Sequence, residues 1–273
     1  MTDNDLIFFK KWFFDYSRSF NFTGKNEQKN IDLKIEHTHH VCRNIIEIAK
    51  DIFYDVNGIR IAETIALFHD VGRFQQFARY KTFKDNISIN HGLLGAKTLI
   101  GEKVLNMLPE RERNLIIESV RFHSAFKLPH SKDKDLISFL KLIRDADKLD
   151  ILRVFIDYYE TPKEERASVA GLGLLDSSEY SEMVLACFCK KRIPSYTILK
   201  TLCDFRLMHL TWLYDLNFKS TYKLLVKRDY INKIIAGLPQ TAEIYGAIGA
   251  LKEYINQRLD SGYQENNLER QNG

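Results

Sequence analysis

The sequence predicts an all-α protein, and three observations support this fold class. Nearly every long segment carries apolar residues at helical spacing, and no run alternates as a half-buried strand would. The five prolines, at positions 109, 129, 162, 194 and 239, lie between these segments, where they end helices. With 45% hydrophobic residues, 18 Phe and 13 Tyr, the 273-residue chain can fill a sizeable helical core.

Six helices are predicted in the first part of the chain, each from its own apolar stripe. In the second of them, Val41, Ile45 and Ile48 line one face. Ser88 is predicted to cap the fourth helix, because serine commonly precedes a first helical turn. The six predicted ranges are 5–20, 29–53, 57–69, 88–99, 110–123 and 136–159.

The segment 71–87 has no clean helical periodicity and is predicted to be a loop. It is rich in arginine and aromatic residues, including Arg73, Arg79 and Phe83, and it lies between two candidate ligands. Loops beside a site often line its pocket, so we expect this one to contact substrate. The alternative is a surface connector with a few buried rings.

A change of composition near residues 161–163, followed by a Gly171-Leu172-Gly173 turn, marks the predicted end of the core. Beyond it, four more helices are predicted at 178–189, 194–216, 218–235 and 241–259. We therefore predict a core at 1–165, a helical extension packed on it at 166–260, and a polar tail at 261–273.

Composition argues against a membrane protein and leaves the binding partner open. No apolar stretch approaches the roughly 20 residues of a membrane span, and residues 1–5 lack the features of a secretion signal. The cysteines at 42, 187, 189 and 203 form no zinc or redox motif, so we expect free thiols and a cytoplasmic location. The net charge of +4 does not require nucleic acid and would suit a small anionic molecule. The oligomeric state is left open.

Four histidines and two aspartates are candidate metal ligands, because the histidines and Asp147 follow helical faces and the adjacent pair His69-Asp70 ends an apolar run. Burying an imidazole beside a carboxylate is unfavourable unless a metal or a counter-charge compensates both. On the last core helix, Asp147 continues the apolar line of Ile143 and Ile151, whereas Asp145 points elsewhere. The six candidates are His37, His69, Asp70, His91, His123 and Asp147.

The composition of this set indicates the kind of metal. A single such histidine is more often a core residue than a ligand, but six candidates agree here. Imidazole and carboxylate without thiolate favour first-row or hard divalent ions. Six ligands exceed one tetrahedral zinc and indicate an octahedral ion or a pair of ions. We expect two divalent ions, drawn from Fe, Mn, Co, Ni and Mg.

The order of these residues resembles the signature of the HD superfamily of metal-dependent phosphohydrolases. His37-x-x-x-Val41 resembles its first helix, His69-Asp70-Val71-Gly72 its namesake dyad, and Asp145-Ala146-Asp147-Lys148-Leu149 its last ligand element. His91 and His123 resemble the two further histidines of the binuclear branch. The resemblance covers residues 30–160 and implies an HD-domain helical core followed by the C-terminal helical extension.

The binuclear branch holds dinucleoside polyphosphate hydrolases, HD-GYP cyclic-dinucleotide phosphodiesterases and mixed-valent di-iron oxygenases. The whole chain is also similar to a bacterial HD subfamily with a segment like Gly72-Arg73-Phe74 to Phe83. Ser124 follows His123 where HD-GYP proteins carry a second histidine, and their Gly-Tyr-Pro element is missing. Cleavage of a cyclic dinucleotide is therefore not favoured.

The resemblance implies a role for each ligand. Asp70 would bridge two ions, with one held by His37, His69 and Asp147 and the other by His91 and His123. A metal-activated water would then attack the phosphorus of a nucleotide or nucleotide-like phosphoester, which could be a monoester, a phosphodiester or a polyphosphate.

Basic residues near the ligands are predicted to bind the phosphate. Arginine makes bidentate contacts to phosphate, and lysine acts as a point charge. Asp70, Arg73 and Lys148 are the predicted catalytic residues, and Arg73, Arg79, Arg121 and Lys148 the predicted substrate contacts.

Three other functions remain open at this point. A mixed-valent di-iron oxygenase would use the same ligand set. A metal-dependent nuclease is possible but not favoured, and residues 223–233 would supply its mild basic patch. The last alternative is a sensor whose metal site has no catalytic role.

Overall fold

A computed structural model describes residues 1–52, 55–166, 171 and 173–260. Over these residues the protein is helical and contains no strand, which confirms the all-α prediction. The chain divides into two compact units, Met1–Leu172 and Gly173–Gly273. The boundary after residue 165 and the packing of the extension remain predictions. The predicted tail, 261–273, and the predicted helix end at 53 lie outside the described residues.

The first unit is built from seven α-helices in its described part. Helix α2 packs against α3 and α7, while α5 packs against α4 and α6, so candidate ligands from distant parts of the chain can meet. Short 3-10 helices occur at Asp85–Ile87 and Lys163–Glu165. The α-helices are α1 Asp3–Arg18, α2 Lys25–Ala49, α3 Val56–Phe68, α4 Val71–Tyr80, α5 His91–Gly101, α6 Glu110–Phe122 and α7 Lys134–Glu160.

Polar side chains fix where the helices around the site begin. The backbone N–H of Leu93 donates to Asn90 Oδ1 at 2.8 Å, so Asn90 caps α5 and His91 is its first residue. The predicted cap, Ser88, is therefore wrong. Its hydroxyl instead donates to the Lys84 carbonyl at 2.7 Å, which holds the chain before the helix.

The prediction of a loop at 71–87 is also wrong, since this segment contains α4 and a 3-10 helix. Helix α4 buries Val71, Phe74 and Phe77, which are spaced three residues apart and share one face. With only ten residues, α4 is too short for this face to stand out from the arginine and glutamine residues around it. Candidate ligands on both sides are thus joined by a rigid element.

The second unit contains α8 Glu182–Cys189, α9 Leu202–Thr211, α10 Lys219–Lys227, α11 Tyr230–Ile235 and α12 Ala242–Asp260, with 3-10 helices at Tyr196–Ile198 and Trp212–Asp215. Two helices predicted as continuous are broken. Thr201 starts α9 inside the predicted 194–216 helix, through a capping box with Asp204. Asp229 interrupts the predicted 218–235 helix, with a left-handed φ of 56°.

The core of the second unit holds a buried histidine. His209 is 0% exposed, and its ring lies 4.4 Å from that of Phe205 and 4.8 Å from that of Trp212. Burial, together with the charge of Arg206, lowers the pKa of His209 to about 3. Neither unit has, among its described helices, one long and apolar enough to cross a membrane.

Candidate metal centre

All six predicted ligands come together inside the first unit. His37 lies within α2, His69 and Asp70 between α3 and α4, His91 at the start of α5, His123 at the end of α6, and Asp147 within α7. The four histidines and Asp70 are buried. The side chain of Asp147 is 20% exposed, which leaves one side of the cluster open.

The carboxylate of Asp70 lies between two pairs of histidines. Its Oδ2 is 3.7 Å from Nε2 of His37 and 3.7 Å from Nε2 of His69. Its Oδ1 is 3.4 Å from Nε2 of His91 and 3.9 Å from Nε2 of His123. The two Nε2 atoms are 3.3 Å apart in the first pair and 3.0 Å apart in the second. One oxygen of Asp70 therefore faces each pair.

Asp147 belongs to the first pair. Its Oδ1 lies 3.1 Å from Nε2 of His37 and 3.8 Å from Nε2 of His69. Asp145, which was expected to lie off the apolar face of α7, is 0% exposed and so more deeply buried than Asp147. The predicted stripe is wrong here, because the buried face of α7 is wider and takes in Leu142 and Leu149. Contact with the histidines, rather than burial, distinguishes Asp147.

One histidine of each pair donates to a carboxylate. Nδ1 of His37 lies 2.7 Å from Asp150 Oδ2, and Nδ1 of His91 lies 2.7 Å from Asp85 Oδ2. A carboxylate can only accept, so each Nδ1 carries a proton and the opposite nitrogen, Nε2, points into the cluster. This carboxylate–histidine arrangement orients imidazole ligands in metal sites.

The other histidine of each pair donates to a backbone carbonyl one turn earlier. Nδ1 of His69 lies 2.7 Å from the Ala66 oxygen, and Nδ1 of His123 lies 2.8 Å from the Val120 oxygen. Because each histidine ends a helix, a free carbonyl is within reach. These hydrogen bonds also leave Nε2 as the inward nitrogen.

The second pair provides the test of whether a cation fits. Burial, with the charge of Arg73, lowers the pKa of His91 to about 4, and burial, with the charge of His69, lowers that of His123 to about 4. Both rings are thus neutral at neutral pH, with unprotonated Nε2 atoms facing each other at 3.0 Å. Two nitrogen or oxygen ligands about 2.1 Å from one ion lie about 3.0–3.4 Å apart. The donor set fits a shared cation.

In the first pair, a proton supplies positive charge. Burial and the charge of Lys34 would lower the pKa of His37, but hydrogen bonds to Asp147 and Asp150 raise it to about 9. The pKa of Asp70 is held well below its usual range, because the charges of Lys34 and His69 outweigh burial. The carboxylates of the cluster are therefore ionised and lie next to positively charged groups.

Two basic residues contact Asp70 directly. Lys34 Nζ lies 2.7 Å from Oδ2, and Arg73 Nε lies 3.4 Å from Oδ1. Nη1 of Arg73 also donates to Gln76 Oε1 at 2.9 Å, to Asp85 Oδ1 at 2.8 Å and to the Phe83 carbonyl. These three acceptors fix the guanidinium of Arg73.

The remaining predicted basic residues differ in position. Lys148 is half-buried beside Asp147 on α7. Arg79 is exposed, and its guanidinium lies 5.3 Å from the ring centre of Tyr80. Arg121 pairs with Glu118 at 3.0 Å, and it precedes His123 by two residues, about 200° around the helix axis. Their substrate contacts remain predictions.

Lys34, Asp85 and Asp150 were missed in the sequence. Lys34 precedes His37 by three residues and Asp150 follows Asp147 by three, so helical spacing puts each on the same side as a ligand. That spacing was the available signal. Asp85 carries no such signal, because it lies in a 3-10 helix outside any periodic segment.

The buried clusters of histidine and aspartate in a helical unit are typical of proteins that bind divalent metal ions. The family model of the HD domain matches residues 35–152, which include all six ligand candidates. Residues 35–152 therefore match the HD domain, a family whose members are generally metal-dependent phosphohydrolases. The predicted resemblance is confirmed, and the branch remains a prediction. No curated protein and no solved structure matched the chain.

Proposed function

We propose that the protein is a phosphohydrolase that uses two divalent ions to cleave a nucleotide or nucleotide-like phosphoester. The observation that carries this proposal is the position of Asp70, whose two oxygens face different histidine pairs. In this proposal Asp70 contacts both ions. The first ion is held by His37, His69 and Asp147, and the second by His91 and His123.

The family supports the reaction class, and the site supplies groups that suit it. Divalent ions bound here would lower the pKa of a water molecule towards neutral and offset negative charge on a phosphoryl group. Lys34 and Arg73 add positive charge within 3.4 Å of Asp70, where a phosphoryl group would need it. The fixed guanidinium of Arg73 can present a donor without losing side-chain freedom on binding.

The roles of individual residues are part of the proposal. Asp70, Arg73 and Lys148 act in catalysis, and Arg73 and Lys148 contact the substrate. Contacts from Arg79 and Arg121 require a substrate that extends beyond the cluster, because these two side chains pack on Tyr80 and Glu118. A polyphosphate or dinucleotide would have that length.

The test is a turnover screen of protein reconstituted separately with Mn, Fe, Co, Ni and Mg. Substrates should include nucleoside mono-, di- and triphosphates, dinucleotides, oligonucleotides and generic phosphoesters. We expect phosphate release with close to two ions per chain, and we expect Asp70→Asn to abolish it. Oxygen consumption without phosphate release would instead identify an oxygenase. A content well under one ion per chain would refute the metal site, and one ion per chain would refute the binuclear assignment.

A further inference from the structure

We infer that Lys34 changes partner: it neutralises Asp70 in the metal-free protein and contacts the anionic group of the substrate when the site is loaded. The phosphoryl nature of that anion rests on the proposed function. The contact with Asp70 rests on the geometry, and its loss on loading rests on repulsion between the ammonium and the bound ions.

The contact between Lys34 and Asp70 is a part-buried ion pair at the centre of the site. Nζ lies 2.7 Å from Oδ2, with 18% of the lysine side chain and 4% of the aspartate side chain exposed. The same oxygen faces Nε2 of both His37 and His69. A buried carboxylate without a cationic partner is strongly unfavourable, so Lys34 stabilises the metal-free site. Its ammonium also competes with an incoming cation for the same oxygen.

Loading removes the reason for this contact. Each divalent ion adds two positive charges, and Asp70 and Asp147 are the only carboxylates among the proposed ligands. An ammonium left beside Asp70 would then be repelled by both ions. An anion bound over the open side of the cluster would give it a new partner.

Lysine, rather than arginine, is suited to this change. Its ammonium sits on a flexible four-carbon stem and can donate in several directions. Nζ of Lys34 also lies 5.4 Å from the ring centre of Phe83, so the ammonium has a second favourable neighbour besides Asp70. Arg73 is held by three acceptors and stays in place.

Replacement of Lys34 should therefore have two effects of opposite sign. Without the ammonium, Asp70 has one competitor fewer, so metal binds more tightly. Without the donor, the loaded site binds an anion less tightly. A residue with only a structural role would weaken both, because a distorted site holds neither the ion nor the anion well.

The experiment compares Lys34→Met with Lys29→Met, which removes the same charge from an exposed position on α2. Calorimetry would measure Mn²⁺ binding to the metal-free protein and inorganic phosphate binding to the Mn²⁺-loaded protein. For Lys34→Met we expect Mn²⁺ affinity to rise and phosphate affinity to fall, each about tenfold or more. Lys29→Met should match the parent in both. Lys34→Arg, which keeps the charge on a less adaptable side chain, should restore only part of the phosphate affinity.

Mn²⁺ affinity that stays unchanged or falls in Lys34→Met would overturn the inference, and so would unchanged phosphate affinity. Lys34→Gln, which keeps a polar side chain, must give the same two signs and covers the case in which Lys34→Met loses helical content. Both readouts are binding measurements. A protein that hydrolyses no phosphoester would therefore refute the proposed function without deciding the role of Lys34.

Discussion

A single methyl group at position 72 is expected to separate α4 from α5 and to break the second histidine pair. A Cβ added to Gly72 would lie 2.2 Å from the carbonyl oxygen of His91 and 2.6 Å from the backbone nitrogen of Gly95. These are backbone atoms of a helix and cannot rotate away. Ordinary non-bonded contacts are about 3.5 Å, so Gly72→Ala must move the two helices apart by roughly 1 Å.

The displacement acts directly on the proposed ligands. Gly72 follows Asp70 by two residues, and the clash is with His91 itself, whose Nε2 lies 3.4 Å from Asp70 Oδ1. Metal–ligand distances tolerate changes of only about 0.2 Å, so a movement of this size should empty the second ion site. The first pair should keep its ion, because His37 lies on α2 and His69 lies at the end of α3, away from the clash. We also expect a loss of about 1–3 kcal/mol in the free energy of unfolding, as for other overpacked cores.

Two other glycines make this a graded series. A Cβ at Gly95 would lie 3.2 Å from side-chain carbons of Val71 and Val120 and 3.3 Å from the backbone nitrogen of Gly72. These contacts are about 1 Å longer than the shortest one at Gly72, so Gly95→Ala should have a smaller effect. A Cβ at Gly101 would meet no described atom within 4 Å. Gly101→Ala should be neutral, or stabilising by up to about 1 kcal/mol through helix propensity.

The assay combines metal content after reconstitution with urea unfolding of the metal-free protein. The reasoning would be refuted if Gly72→Ala kept both the parental metal content and the parental stability. It would also fail if Gly101→Ala were as damaging as Gly72→Ala, since that would mean any alanine in this region disrupts the fold.

Three further predictions concern single side chains. Asp147→Asn should lower metal content and abolish turnover, while Asp145→Asn should keep its metal. Elemental analysis that finds metal lost from Asp145→Asn and retained in Asp147→Asn would exclude Asp147 as the ligand. Asp150→Asn should weaken metal binding about 10- to 100-fold, because Asp150 orients His37 through a 2.7 Å hydrogen bond. Asp135→Asn removes from the same helix an exposed charge that pairs with Arg111, and it should leave metal binding unchanged. Burial lowers the pKa of His209 to about 3, so below pH 6.5 this histidine is protonated in the unfolded chain but stays neutral in the folded protein. The free energy of unfolding should therefore fall by about 2 kcal/mol between pH 6.5 and 5. His209→Phe should reduce this acid-induced loss in urea unfolding, and an unchanged pH dependence would contradict it.

Helical spacing was sufficient to find the candidate ligands that lie on long helices. His37 and Asp147 lie within helices of 25 and 27 residues, where period and face can be read over several turns. It failed for α4, whose ten residues give too few turns to separate an apolar face from its Arg and Gln neighbours. The same limit concealed Asp85, because a three-residue 3-10 helix has no period.

Burial on α7 could not be predicted with the same accuracy. Spacing gave Asp147 an apolar face and Asp145 another, but the helix is covered on more than one side and Asp145 is 0% exposed. How wide a buried face becomes depends on the helices that pack against it. Helix α7 packs against α2, α3 and α6, which a pattern within α7 alone cannot reveal.

The two histidine pairs are alike in their hydrogen bonds and different in their surroundings. Each combines one histidine that donates to a carboxylate with one that donates to a helix carbonyl. Asp150, which serves the first pair, is 1% exposed and is held by Arg153 at 2.7 Å. Asp85, which serves the second, has a side chain that is 30% exposed and also binds Arg73. Any movement of the segment that carries Asp85 would therefore reach the second histidine pair and Arg73 together, whereas His37 of the first pair and its partner Asp150 lie on the two long helices α2 and α7.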